Sequence, residues 1–223
     1  MMCAHRNHHS FAVHTEDVNG IIYQSLNKRQ VRQHISKSIR DGVTVERSQD
    51  NSAMMDFIRL NALTRRRLGV PPQPNAWFLN IMEALISKGL GFVSTASLDG
   101  RCIAASVFLC FKGSIYYKYS ASDEKFLGHR PNNLIAWDAM RWGCENGYSL
   151  FDFGRTDLNS EGLLSYKRGW GTVESDLVYY RISEKKASPF ATTDNLRQVK
   201  PILRTTPVPV FKMIGRFLYE HVG

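Results

Sequence analysis

The chain has 223 residues, 43% of them hydrophobic, and a formal net charge of +9. That length and apolar content suit one folded domain with appendages and a sizeable core. The four cysteines (Cys3, Cys102, Cys110, Cys144) show no CxxC or other metal-ligand spacing and no window approaches the length of a membrane span, which excludes a disulfide scaffold and a spanning protein and predicts a reducing, cytoplasmic compartment.

Residues 1–19 contain histidines but no apolar h-region and no apolar periodicity, so disorder is expected there. Cys3, His5, His8, His9 and His14 resemble a metal-binding tract; a terminus without periodicity does not hold ligands in place, and no metal site is assigned. Asn27 to Arg40 reads as a helix with Val31, Ile35 and Ile39 on one stripe, ended by Asp41-Gly42 and followed by a short strand, Val43 to Arg47. A second helix runs from about Ser52 to Arg67 and stops at Gly69 before Pro71-Pro72. A third, Asn75 to Lys88, carries Trp77, Phe78, Ile81, Met82, Leu85 and Ile86 on one apolar face, which must lie on a sheet.

That sheet follows directly. Phe92 to Ser97, Arg101 to Phe111 and Ser114 to Ser120 are three strands joined by turns at Asp99-Gly100 and Lys112-Gly113, an antiparallel meander. Pro131 to Asn146 is a helix whose Asp138, Arg141 and Glu145 share one side while Leu134, Ile135, Trp137, Met140 and Trp142 cover the rest, so it is largely buried. Tyr148 to Phe153 reads as an interior strand, a further helix ends at Gly169-Trp170-Gly171, and Asp176 to Ile182 is the last strand. This order predicts an α/β (α+β) fold with a mixed, largely antiparallel central sheet flanked by helices over residues 20–183. Residues 184–223 form a basic extension in which Pro209 to His221 is amphipathic, with Val210, Ile214, Phe217 and Leu218 on one face and Lys212, Arg216 and Glu220 on the other. Two readings of that helix stay open: docking on the domain's own core, or attachment to an anionic membrane.

Residues 150–171 carry the chemistry. Leu150-Phe151-Asp152-Phe153-Gly154-Arg155-Thr156 places a carboxylate and an arginine at a strand end, and Leu163-Leu164-Ser165-Tyr166-Lys167-Arg168-Gly169 brings two cations after it, an arrangement suited to an anionic substrate. The segment resembles the signature of the Fem-type (FemAB-like) transferases and the related BioF2-like acetyltransferase domain, both built on the GNAT acyltransferase fold. Three more stretches fit that order: Lys28 to Ile35 before Gly42, Leu63 to Pro71, and Arg130-Pro131-Asn132-Asn133-Leu134. The predicted element order is that of the GNAT fold, and the match corresponds to the C-terminal of the two GNAT-like halves of a Fem-type protein.

The resemblance implies that Ser114 to Ser120 and Tyr148 to Phe153 splay apart and that the helix beginning at Pro131, with Asn132 and Asn133, offers N–H groups to the donor's anion. It implies contact of Arg32 with phosphates of a nucleotide- or lipid-linked acceptor, and donor binding and charge stabilisation by Lys167, preceded by Tyr166. Asp152 and Arg155 would orient the site and Arg168 would add positive charge; Tyr117 or Tyr119 is a candidate proton donor. The implied reaction is transfer of an acyl or aminoacyl group to an amine of a cell-envelope precursor, peptidoglycan or polysaccharide, by an N-acyltransferase. Its donor is aminoacyl-tRNA, as in the characterised Fem-type enzymes, or acyl-coenzyme A. Gly128-His129-Arg130-Pro131-Asn132-Asn133 is not the glycine-rich phosphate loop of coenzyme-A-dependent GNAT enzymes.

Charge distribution points the same way. Between Leu26 and Leu68 lie ten basic residues against four acidic ones, and after Tyr180 eight against three, two zones that suit a polyanionic partner: a diphosphate-linked or lipid-linked substrate, tRNA, or the inner face of the membrane. Two alternatives stand beside the enzyme reading. One is a non-catalytic half that needs a second GNAT-like chain or a homodimer; the other is a stand-alone acetyl-coenzyme-A-dependent acetyltransferase.

Overall fold

The computed structural model describes residues 2–14, 26–182 and 199–220. Within them a seven-stranded mixed sheet has the order β2-β3-β4-β5-β6-β1-β7, formed by β1 (Met2–His14), β2 (Thr44–Ser48), β3 (Gly91–Leu98), β4 (Arg101–Phe111), β5 (Ser114–Ser122), β6 (Leu150–Asp157) and β7 (Val173–Ile182). Every neighbouring pair is antiparallel except β5 and β6. In β4 the six residues Ile103 to Phe108 are all buried, because helices cover both faces of the sheet there.

On one face lie α1 (Gln33–Arg40), entered through a π-helical turn Lys28–Arg32, and α4 (Pro131–Glu145). Val31, Ile35, Phe108, Ile135, Phe151, Phe153 and Trp170 form the core on that side. The other face holds α2 (Asn51–Leu68) and α3 (Asn75–Ala84), with Met54, Phe57, Phe78, Val93 and Val107 packed between them and the sheet. α5 (Glu161–Arg168) links β6 to β7, and α6 (Lys200–Thr205) and α7 (Val208–Glu220) complete the described chain.

Several expectations change. The amino terminus, expected to be disordered, is within its described part the strand β1, which fills the slot between β6 and β7; backbone pairing there does not depend on side-chain periodicity. Residues 15–19 of that expectation lie outside the described residues. Because β1 gives it a partner, β6 continues to Asp157 and does not stop at Phe153. α3 ends at Ala84, where Leu85 (φ −124°) leaves helical geometry, and a 3₁₀ turn, Ile86–Lys88, completes the expected span. In α7 the docked face is that of Phe211 and Gly215, and Val210 and Phe217 of the apolar face read from the sequence are exposed.

Candidate active site

β5 and β6 are hydrogen-bonded only from Ser114–Tyr116 to Leu150–Asp152; beyond that they part. Two local irregularities accompany the divergence. On β5, Val107 faces Tyr119 and Phe108 faces Tyr117, so Lys118 is an extra residue with no opposite, a bulge. Consequently Tyr117 and Tyr119, two apart, point to opposite faces: Tyr117 packs on Phe108, Phe151 and Phe153, and Tyr119 on Phe57 and Phe78. On β6, Gly154 has φ +70° and its N–H donates to Asp152 Oδ1 at 2.6 Å.

The glycine's left-handed geometry breaks the alternation of carbonyls that a regular strand would show. Three successive carbonyls, those of Phe153, Gly154 and Arg155, then converge on Lys167 Nζ at 2.6, 2.7 and 3.1 Å. Lys167 is 5% exposed. Burial pushes its pKa down to about 8, with the Asp152 charge working against the fall.

Where the strands part lies a cleft of ≈ 500 Å³. β5 supplies Tyr117, Lys118 and Ser120; β6 supplies Phe153 and Arg155; α5 supplies Leu163, Tyr166 and Lys167; and the start of α4 supplies Arg130, Asn132 and Asn133. The Tyr117 hydroxyl bonds Ser106 Oγ at 3.2 Å and Ser120 Oγ at 3.1 Å, and burial raises its pKa. Tyr166 is held well above the ordinary tyrosine value by burial and by the nearby Tyr117, so both phenols keep their protons at neutral pH. Asn133 is buried, and its Nδ2, like Asn132 Oδ1, has no hydrogen-bond partner among the described residues. An unsatisfied amide donor in the first turn of a 15-residue helix with no acidic residue there is a place for a phosphate or carbonyl oxygen.

A second groove of ≈ 620 Å³ adjoins the first and is lined by Arg32, Gln33, His34, Ser36, Lys37 and Arg40 of the α1 region, together with Arg130. Arg130 lines both spaces and holds the N-cap of α4 at φ +58°. Burial and the charge of Arg130 lower the His34 pKa, favouring the neutral imidazole. Asp41 links Lys37 (2.5 Å) to His129 Nδ1 (2.8 Å) at the back of this groove, and those two bonds hold its carboxyl below the usual range.

The structure therefore brings Tyr117, Lys167, Arg155, Tyr166, Asn132 and Asn133 together and places Arg32 in the adjoining groove. Asp152 does not line the cleft; its carboxylate holds the Gly154 N–H. Arg168 turns away and pairs with Glu174 through two bonds of 2.7 Å. Missed by the sequence reading are Arg130, Lys118 and Ser120. The position of Arg130, directly before a helix-opening proline, was the available signal for the first; nothing in the sequence marked the bulge that turns the other two into the cleft.

The profile of the acetyltransferase (GNAT) domain family matches residues 26–168. Over 112 residues the chain is 35% identical to a lipid II:glycine glycyltransferase of Staphylococcus haemolyticus, covering 45% of this chain and 27% of that protein. It is 33% identical over 81 residues to the protein of the same name from Staphylococcus aureus, covering 33% of this chain and 19% of that one. The chain thus spans 27% and 19% of the length of these two relatives. Among solved structures, the crystal structure of FemX superposes with a TM-score of 0.69 at 20% identity, over 75% of this chain and 59% of that one. The structure of L-PGS from Bacillus licheniformis gives 0.61 at 13%, over 92% and 68%.

Proposed function

We propose, from a chain that belongs to the acetyltransferase (GNAT) domain family, that it transfers an aminoacyl group to an amine of a lipid-linked peptidoglycan precursor at the inner face of the membrane. The observation that carries this reading is that Arg130 lines both spaces: a partly apolar cleft for the reacting groups and a cationic groove for a diphosphate. Likeness to two lipid II:glycine glycyltransferases supports the acceptor class.

In this reading the donor's ester carbonyl lies in the cleft beside Tyr117, and the acceptor's diphosphate lies along Arg32, Lys37, Arg40 and Arg130. The acceptor amine attacks the carbonyl carbon and forms a tetrahedral oxyanion, which the Asn133 side-chain amide and the positive end of the α4 dipole stabilise. Collapse breaks the bond to the leaving oxygen, and the Tyr117 hydroxyl gives it a proton that Ser120 can replace from solvent. No carboxylate or imidazole lines the cleft among the described residues, so the amine's proton passes to water or to the substrate's phosphate. Lys167 is assigned to position the strand end behind the reacting groups.

Aminoacyl-tRNA is the proposed donor and acyl-coenzyme A its competitor, separable by incubating the full chain with each donor and a lipid-linked precursor and following label into the acceptor. Transfer from aminoacyl-tRNA alone supports the proposal; transfer from acetyl-coenzyme A alone overturns it in favour of a stand-alone acetyltransferase. One further reading is a half-enzyme completed by a second GNAT-like chain. That reading predicts binding of both substrates with no turnover until the second chain is added.

A further inference from the structure

We infer that the surface formed by α6, α7 and the end of α2 docks on an anionic lipid bilayer. α7 packs inward through Phe211, fully buried, and Gly215, where an added Cβ would lie 2.2 Å from Pro72 O. With that face docked, a second apolar face is turned outward: Met213 is 71% exposed, Phe217 65% and Val210 48%, and Ile202 of α6 beside them is 68% exposed. These three α7 residues recur at the three- and four-residue spacing of one helical stripe.

The flanks of the stripe are cationic. α6 carries Lys200 and Arg204, α7 carries Lys212 and Arg216, and α2, which packs against both, ends in Arg65, Arg66 and Arg67. The segments are held together: Gly69 abuts Lys200, and Arg65 Nη2 donates to the Tyr219 hydroxyl at 3.3 Å. Residues 199–219 contain no acidic side chain. α7 ends in one acidic residue, Glu220, and the other charges that flank the stripe are positive; acyl chains and negative headgroups, the complements of both features, meet in an anionic bilayer. No helix among the described residues is long and apolar enough to cross a membrane, so the contact lies in the plane of the interface. The inference stands apart from the identity of donor and acceptor, because it needs neither.

Vesicle co-sedimentation of the full chain tests it, with phosphatidylglycerol-containing and pure phosphatidylcholine vesicles at low and high salt. Binding to the anionic vesicles alone, weakened by salt, is expected. Arg204→Gln/Lys212→Gln should lower the partition coefficient about 25-fold, at about fivefold per charge, and Ile202→Ser/Met213→Ser should lower it while leaving the melting temperature unchanged. All four positions are away from the cleft, so substrate binding there should persist in both variants. Absence of binding to anionic vesicles, or binding indifferent to both variants, overturns the inference. So does concentration-dependent self-association abolished by Ile202→Ser/Met213→Ser, which would assign the stripe to a second copy of the chain.

Discussion

A buried ammonium held by three backbone carbonyls is a local organiser as much as a charge. Lys167 ties Phe153, Gly154 and Arg155 together at the place where β6 leaves β5. Replacing it with Met strands those carbonyls, and we expect a loss of about 3 kcal/mol in a denaturation experiment together with a fall in transfer. The pH dependence has a definite sign. With the folded pKa near 8 and the unfolded one near 10.5, the unfolded chain binds more protons between those values. Stability of the parent therefore rises with pH across that window relative to Lys167→Met; urea midpoints on either side of it would show the slope. Tyr117 and Tyr119 make a second contrast. Tyr117→Phe removes a hydroxyl in the cleft and should lower kcat about a hundredfold with KM little changed. Tyr119→Phe, which loses only the bond to Trp77 Nε1 on the far face, should leave turnover intact. In a regular strand both tyrosines would share one face; the inserted Lys118 separates them, and a bulge leaves no mark in a run such as Tyr116-Tyr117-Lys118-Tyr119.

At the scale of the element, the cleft is a consequence of two strands that pair for three residues and then stop. Gly154 makes the turn away from β5 possible, and no atom lies within 4 Å of a Cβ placed there, so the cost of a side chain is conformational only. Gly154→Ala should cost about 1–2 kcal/mol and, by pulling the three carbonyls off Lys167, reduce transfer more than so mild a destabilisation accounts for; parallel melting and rate measurements decide. Helix α7 offers the opposite case. Gly215 lies against backbone, and Gly215→Val should undock the helix, exposing residues 199–219 to limited proteolysis while the cleft on the other side of the sheet keeps its shape. The amphipathic pattern made α7 legible in the sequence but left open which residues dock, since a glycine that admits close approach carries no hydrophobic weight in a periodicity argument.

Over the whole molecule, the excess of positive charge is sorted into places with different partners. Arg32 lines the cationic groove, whereas Arg47 on β2 is ion-paired with Asp138 of α4. Arg32→Ala should weaken binding of a diphosphate-containing acceptor about tenfold and flatten its salt dependence, and Arg47→Ala should do neither; equilibrium binding at several salt concentrations measures both. Equal responses would mean that net charge alone attracts the acceptor.

Sequence alone determined the class of fold, the order of elements after the amino-terminal strand, the start of α4 at Pro131 and the β3-β4-β5 meander, because apolar periodicity, Asp-Gly turns and helix-terminal glycines are local signals. It also singled out six of the residues that line the cleft, five through motif resemblance and Tyr117 as one of two candidate proton donors. Only the tertiary structure decided that β1 enters the sheet, that Asp152 and Arg168 are turned to other partners, and that Arg130 lines both the cleft and the cationic groove. Those outcomes depend on which strand edge is vacant, where a bulge falls and which carboxylate comes within reach, contacts between residues far apart in the chain that no local pattern encodes.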